Sequence, residues 1–174
     1  MRAMLLTADQ FEDSELIVPY DGLREEGIDV DIVAPARGRI RGKHGYEAEA
    51  SIAADDARPD DYDLLIIPGG RAPEELCHHP ATGRIVDSFF KRHRPVAAIC
   101  HGPLLLAHPH LVANRTLTAH RSIAGRLRSA GANYQDSEVV VDNLLVTSRV
   151  PADLPAFMRE VTKMVRALRE VRRQ

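Results

Sequence analysis

Tryptophan is absent from this 174-residue chain, and aromatic residues of all kinds make up only 5% of it. A surface that stacks nucleic-acid bases needs such side chains, so we expect no nucleic-acid partner. The net charge of −2 gives no reason to expect attraction to nucleic acid or to an anionic membrane either. No apolar run approaches the roughly 18 residues of a membrane span, so we also expect no membrane partner.

Cysteine is scarce, since Cys77 and Cys100 are the only two. Two cysteines do not make a disulfide framework, and no charged segment precedes a long apolar run as in a signal peptide. We therefore expect a reducing, cytoplasmic setting. Cofactors are also not indicated: the first predicted strand is not followed by a glycine-rich phosphate loop. Adjacent residues such as Cys77, His78 and His79 rarely converge on one metal ion, so we expect no metal site.

Short apolar runs alternate with helical patterns along the chain, which predicts a single α/β domain over residues 1–174, a three-layer sandwich with a mostly parallel central sheet. The continuous run Leu64–Ile67 is typical of a central parallel strand. Hairpins are predicted at 39–51 and 139–146, and Ser122 is predicted to cap a helix that ends at Ser129.

A buried strand, 96–99, ends abruptly at Cys100-His101-Gly102, and a helix is predicted to follow over 103–107. A strand, a sharp turn, a reactive side chain and a helix form a nucleophile elbow. The helix N-terminus would favour the Cys100 thiolate, and free N–H groups there could hold a developing oxyanion. For an arbitrary sequence, a buried and inert cysteine would be the commoner interpretation.

Two further strands end in unusual turns, at 7–11 and at Pro68-Gly69-Gly70. In open parallel sheets the ligand crevice lies beyond the carboxyl ends of the strands. We therefore predict that Glu12, Gly70 and Cys100 meet in one crevice, although they are far apart in sequence.

The elbow Ala98-Ile99-Cys100-His101-Gly102-Pro103 resembles that of the PfpI/ThiJ superfamily, which includes a protein deglycase. Other stretches match in order along nearly the whole chain: Phe11-Glu12-Asp13, Gly42-Lys43-His44-Gly45-Tyr46, Pro68-Gly69-Gly70-Arg71-Ala72-Pro73-Glu74, Thr147-Ser148-Arg149 and Asp153-Leu154-Pro155-Ala156-Phe157. The resemblance implies a flavodoxin-like sheet, as in the class I glutamine amidotransferases. No His-x-Glu pair follows the elbow to complete an amidotransferase triad.

The resemblance also implies roles for particular residues. Glu12 would hydrogen-bond the nucleophilic sulfur and share one proton with it. Because His101 directly follows Cys100 in sequence, we expect its side chain to point away from the thiol and its backbone N–H, with that of Gly70, to form the oxyanion hole. Glu74 would orient that imidazole from a neighbouring subunit of a homodimer or a dimer-based hexamer. His120 would lie near the crevice mouth, where it could donate to a substrate oxygen.

Three functions remain open at this point. The preferred one is a cysteine hydrolase, similar to deglycases and glyoxalase III, that acts on small reactive carbonyls or their early adducts on amino groups. The second is an intracellular cysteine peptidase with His101 as base and Glu74 as its orienting group. The third is a stress protein without enzymatic activity, in which reversible oxidation of Cys100 senses redox conditions.

Overall fold

The computed structural model describes residues 1–174. It contains eleven strands, in chain order β1 Arg2–Leu6, β2 Asp29–Ala34, β3 Gly38–Arg41, β4 Glu47–Ala50, β5 Ile52–Ala53, β6 Leu64–Ile67, β7 Val96–Ile99, β8 Thr116–Leu117, β9 Asn133–Tyr134, β10 Val140–Asp142 and β11 Leu145–Ser148. The six α-helices are α1 Asp13–Glu25, α2 Ala72–Leu76, α3 Pro80–Lys91, α4 Pro109–Val112, α5 Ala124–Ser129 and α6 Leu154–Arg173. Five short 3-10 helices join them: Ala54–Asp56, Pro59–Asp61, Gly102–Leu106, Arg121–Ile123 and Pro151–Asp153.

Seven strands form the central sheet, in the order β10-β11-β7-β6-β1-β2-β5. Every neighbouring pair is parallel except β10 and β11, which form an antiparallel hairpin at one edge. The predicted mostly parallel sheet is therefore confirmed. The central strands β6 and β7 are buried along their whole length, as expected when helices cover both faces.

Helices cover the sheet on both faces because the chain crosses it in two directions. From β1 it moves by way of α1 to β2, and from β6 it moves the opposite way by way of α3 to β7. Right-handed crossovers in opposite directions place their helices on opposite faces. Helix α6 packs against α1 and β11, and it thus completes the first of the two helical layers.

One continuous cluster of 48 buried residues forms the core. It includes strand residues such as Leu65 and Ala97, and also Phe157 and Val161 from the apolar stripe of α6. One continuous core is expected of a single domain. The extent of that domain, residues 1–174, stays a prediction. No helix combines the length and apolar character that crossing a membrane requires.

The predicted hairpins are confirmed. Strands β3 and β4 pair antiparallel, and β10 turns into β11 at Asp142 and Asn143, where Asn143 has φ of 53°. Ser122 is not the helix cap that the sequence predicts. It lies inside the 3-10 helix before α5, and the His120 side chain caps that turn by accepting the Ser122 N–H. The Ser122 hydroxyl is therefore available for other contacts.

Candidate active site

The elbow is a strained turn at the end of β7. Cys100 has φ of 61°, a left-handed conformation that side-chain-bearing residues adopt at a cost of about 1–3 kcal/mol. Its N–H donates to Ser148 O at 3.0 Å, which ties the turn to β11. A Cβ on Gly102 would lie 2.3 Å from the carbonyl oxygen of Ile67, so only glycine allows the turn to pack this close to β6.

The helix after the elbow differs from the sequence prediction. The five residues Gly102–Leu106 form a 3-10 helix instead of an α-helix over 103–107. A single short turn has few aligned peptide dipoles, so it does little to stabilise a Cys100 thiolate.

The protonation of Cys100 also differs from the expected thiolate. Burial raises the pKa of the thiol to about 12, and the neighbouring Glu15 adds to that rise. The backbone N–H groups of His101 and Gly70 bond to the sulfur and oppose the rise. These are the two amides predicted for the oxyanion hole, and both lie beside Cys100 Sγ. The resting site thus holds a thiol.

The carboxyl group beside the thiol belongs to Glu15, and the prediction that Glu12 fills this place is wrong. Glu12 precedes the first residue of α1 and contacts the β3–β4 hairpin, where its carboxylate lies 3.2 Å from Lys43 Nζ and 3.1 Å from His44 Nε2. Glu15 lies one turn later on the buried face of the helix, so its side chain reaches the strand ends.

Glu15 is completely buried, and its environment favours a neutral carboxyl group. Its Oε1 atom accepts the Gly69 N–H at 3.0 Å, whereas Oε2 has no hydrogen-bond partner. Burial raises the pKa of Glu15 to about 8, with the Gly69 hydrogen bond opposing the rise. Glu15 is therefore protonated at neutral pH, a buried acid next to Cys100.

A sequence signal for Glu15 exists. It occupies the buried stripe that also contains Pro19 and Leu23, at spacings of four residues along α1. An acid in the apolar stripe of a helix is a candidate for a site residue, because an unpaired buried carboxyl group is costly to retain.

The His101 imidazole contacts the thiol, which corrects the prediction that it points away. Its Nδ1 atom lies 3.2 Å from Cys100 Sγ, and its Nε2 atom lies 3.0 Å from Ser122 Oγ. The His120 ring stacks on it, with centroids 4.4 Å apart. Burial lowers the pKa of His101, so the imidazole is neutral at pH 7 and can accept a proton.

Cys100 and His101 border a pocket of about 590 Å³ beyond the carboxyl ends of the central strands. The predicted meeting of Glu12, Gly70 and Cys100 in one crevice is confirmed, and His101 and His120 line the same pocket. A backbone bridge between Phe11 and Gly70 joins the ends of β1 and β6 at this point. This is where the strand order reverses direction, the usual ligand site in such sheets.

Glu74 lines the pocket of its own chain. Its exposed carboxylate lies 3.8 Å from Arg126 Nη1, and it makes no hydrogen bond to His101. Its negative charge favours the protonated form of that imidazole. In the isolated chain the side chain within hydrogen-bond distance of His101 Nε2 is thus Ser122, a residue for which the sequence predicts only a helix cap.

Comparison with known proteins agrees with the family resemblance of the elbow. A model of the DJ-1/PfpI family matches residues 1–164. The chain belongs to the DJ-1/PfpI family. A deglycase of Pyrococcus abyssi is 44% identical over 166 residues, which cover 95% of this chain and 100% of the relative. A Bacillus subtilis protein with the name "Putative cysteine protease YraA" is 40% identical and covers 93% of this chain and 96% of its own.

A solved structure of a two-domain protein from Anabaena variabilis, with DJ-1/ThiJ/PfpI-like and ferritin-like domains, superposes with a TM-score of 0.91 at 32% identity. The match covers 94% of this chain and about half, 48%, of that one. The predicted resemblance to the family and the fold class are confirmed. Family membership, together with a cysteine at the elbow, supports a cysteine-dependent enzymatic function.

Proposed function

We propose that the protein is a cysteine hydrolase of small reactive carbonyls, such as methylglyoxal and its early adducts on amino groups. The observation that carries this proposal is the set of groups around Cys100 Sγ: two backbone N–H donors, a neutral imidazole and a neutral buried carboxyl group. The name deglycase, given to a relative 44% identical, is consistent with it.

The geometry suggests how addition would begin. Cys100 Sγ adds to the aldehyde carbon as its proton passes to His101 Nδ1, 3.2 Å away. The carbonyl oxygen takes the electron pair and lies against the N–H groups of Gly70 and His101. Glu15 then protonates this oxygen, which gives a hemithioacetal and leaves Glu15 as a carboxylate.

Glu15 would next act as the base. It removes the proton from the carbon bonded to sulfur and returns it to the neighbouring carbon, while the hydroxyl proton moves from the first oxygen to the second. The hemithioacetal of methylglyoxal thus becomes a lactoyl thioester. In hydrolysis, water gives its hydroxyl to the acyl carbon and a proton to Glu15, and the departing thiolate regains the proton held by His101, so that lactate and one proton are released. The role first assigned to Glu12 passes to Glu15, because only Glu15 lies next to the sulfur.

The test is a panel of carbonyl substrates assayed with the wild type and with Cys100→Ser. We expect lactate from methylglyoxal with the wild type alone, measured against enzyme-free reactions that record spontaneous reversal of adducts. Peptide hydrolysis without lactate formation would favour the peptidase alternative. Absence of both activities from the wild type, together with reversible oxidation of its Cys100 thiol, would favour the redox sensor.

We also propose a homo-oligomer in a reducing cytoplasm, a homodimer or a dimer-based hexamer, in which Glu74 completes the site of a neighbouring subunit. Two features support this proposal: the exposed Glu74 carboxylate at the pocket and the two unpaired thiols. A role in the response to carbonyl stress would follow from the proposed substrates.

A further inference from the structure

Ser122 joins the two histidines of the site through one hydroxyl group. Its Oγ atom lies 3.0 Å from His101 Nε2 and 2.7 Å from His120 Nδ1. The two rings stack with an angle of only 21° between their planes, so both nitrogen atoms face the same hydroxyl. Cys100, His101, Ser122 and His120 therefore form one continuous hydrogen-bonded series that runs from the thiol to the pocket mouth.

The direction of these hydrogen bonds can be worked out from one backbone group. The Ser122 N–H donates to His120 Nδ1 at 3.2 Å, so this nitrogen carries a lone pair. The hydroxyl hydrogen of Ser122 must then also point to His120 Nδ1, since otherwise two lone pairs would face each other across 2.7 Å. The Ser122 oxygen is left with only lone pairs for His101, so His101 Nε2 carries a hydrogen.

The hydrogen at Nε2 determines whether His101 can accept the proton of the Cys100 thiol. A neutral imidazole has one N–H, so a hydrogen at Nε2 leaves Nδ1 with a lone pair. Nδ1 is the atom 3.2 Å from Cys100 Sγ. The thiol can therefore donate to it, and the tautomer required to accept the proton is already present before any substrate binds.

We propose that Ser122 is a positioning residue: its hydroxyl, fixed by His120, holds His101 in the tautomer with a free Nδ1 and so makes His101 the proton acceptor for Cys100. This inference rests on the proposed function in that it names the group that prepares the base of the same site. It assigns within one chain the task that the subunit-exchange proposal gives to Glu74. His101 Nε2 carries one hydrogen, so it can donate a full hydrogen bond either to Ser122 or to a carboxylate, but not to both.

The charged and titratable groups that face this series come from several elements. Lys43, Glu74 and His120 act on His101, and Glu12 and Glu15 act on Cys100. None of the five is itself changed by the substitution Ser122→Ala, and the Ser122 N–H that bonds to His120 is retained. Ser122 is itself exposed, so its loss would not open the core.

The test uses the full chain with Cys77→Ala, so that Cys100 is the only thiol. Nitrogen-15 spectra of the imidazoles report the His101 tautomer, and iodoacetamide at pH 7.5 reports the ability of His101 to take the thiol proton. For Ser122→Ala we expect a mixture of His101 tautomers and alkylation slowed by roughly tenfold, the worth of about one hydrogen bond. Ser122→Thr keeps a hydroxyl and should restore both, and Ser129→Ala, an exposed serine of α5, should change neither.

Ser122→Ala with the wild-type tautomer and the wild-type alkylation rate would overturn the proposal. Slower alkylation in Glu74→Gln, together with no change in Ser122→Ala, would assign the orienting role to the carboxylate. Neither readout needs a substrate. Failure of the wild type to convert any carbonyl would therefore count against the proposed function and leave the result on Ser122 standing.

Discussion

Cys100 and Cys77 provide an internal comparison, because the chain has one thiol in the pocket and one outside it. Cys77 is exposed beyond the end of α2 and lies outside the pocket, whereas Cys100 bonds to two amides and an imidazole. We expect Cys100→Ala to abolish carbonyl turnover and Cys77→Ala to retain most of it, as measured by lactate formation. Equal activity of the two variants would mean that the reaction does not use the elbow thiol.

Glu15 gives the stability of the protein a definite pH dependence. Its pKa is raised from 4.5 to about 8, so the folded protein holds a proton that the unfolded chain releases between these values. The stabilisation is fully present below about pH 4.5 and is lost as pH rises toward 8, on the order of 1 kcal/mol per pH unit. Glu15→Gln keeps the acceptor for Gly69 and cannot ionise.

The free energy of unfolding in urea should therefore be measured from pH 5 to pH 9. As pH rises, that of the wild type should fall relative to that of Glu15→Gln, and the difference should level off above pH 8. Glu75→Gln, at an exposed carboxylate of α2, is the matched control and should follow the wild type at every pH. A constant difference between Glu15→Gln and the wild type would show that the Glu15 carboxyl group ionises normally.

The turn after β6 holds one of the two sulfur-facing amides, and it depends on Gly70. This residue has φ of 84°, and a Cβ there would lie 2.4 Å from Glu12 N and 2.5 Å from Gln10 O. Both are backbone atoms, so relief would require the ends of β1 and β6 to separate. We expect Gly70→Ala to lower the free energy of unfolding by at least about 2 kcal/mol and to reduce turnover strongly.

Gly83→Ala is the control for Gly70→Ala. Gly83 lies inside α3, and a Cβ there meets nothing within 4 Å. We expect this substitution to stabilise the protein by roughly 0.5–1 kcal/mol, because alanine favours the helix. Denaturant unfolding and lactate formation should be measured on both variants. A Gly70→Ala protein as stable and active as the wild type would mean that the bridge to Phe11 is not needed.

Strands and hairpins could be predicted from the sequence, because their patterns are local. The run Leu64–Ile67 and the turn at Asp142 and Asn143 occur where the composition indicates. Which acidic residue reaches the sulfur is less well determined. The family resemblance assigns this contact to Glu12, but Glu12 precedes α1, whereas Glu15 lies on the buried face of that helix.

Contacts between distant side chains could not be predicted in the same way. Adjacent residues do not usually face each other, so the sequence predicts that His101 points away from Cys100. The positive φ of Cys100 reverses the chain sharply and brings the imidazole back to the sulfur. The Ser122 hydroxyl reaches His101 only because His120 takes the capping role. Neither contact has a pattern along the chain.

The proposed exchange of Glu74 between subunits predicts complementation. Cys100→Ala and Glu74→Ala should each be inactive alone if His101 needs the carboxylate from a partner. In a mixed dimer one site receives an intact Cys100 from one chain and an intact Glu74 from the other, so mixing should restore activity. A symmetric dimer would complete two sites at once.

Sedimentation of the mixture shows whether mixed oligomers form. Mixed dimers that form and gain no activity would exclude the shared site, and a fully active monomer would exclude it more directly. An active Glu74→Ala parent, together with a defective Ser122→Ala protein, would place the orienting group within the single chain.

The groups around Cys100 come from positions spread along almost the whole chain. Glu15 follows β1, Gly70 follows β6, Ser122 precedes α5, and the carbonyl that fixes the Cys100 amide belongs to Ser148 at the end of β11. Pairings between strands so distant in sequence form late, because closing long loops costs entropy before contacts repay it. A nascent or partly folded chain therefore exposes an ordinary thiol. The raised pKa of Cys100 appears only when synthesis and folding are complete, so during refolding the loss of thiol reactivity reports the final step of assembly.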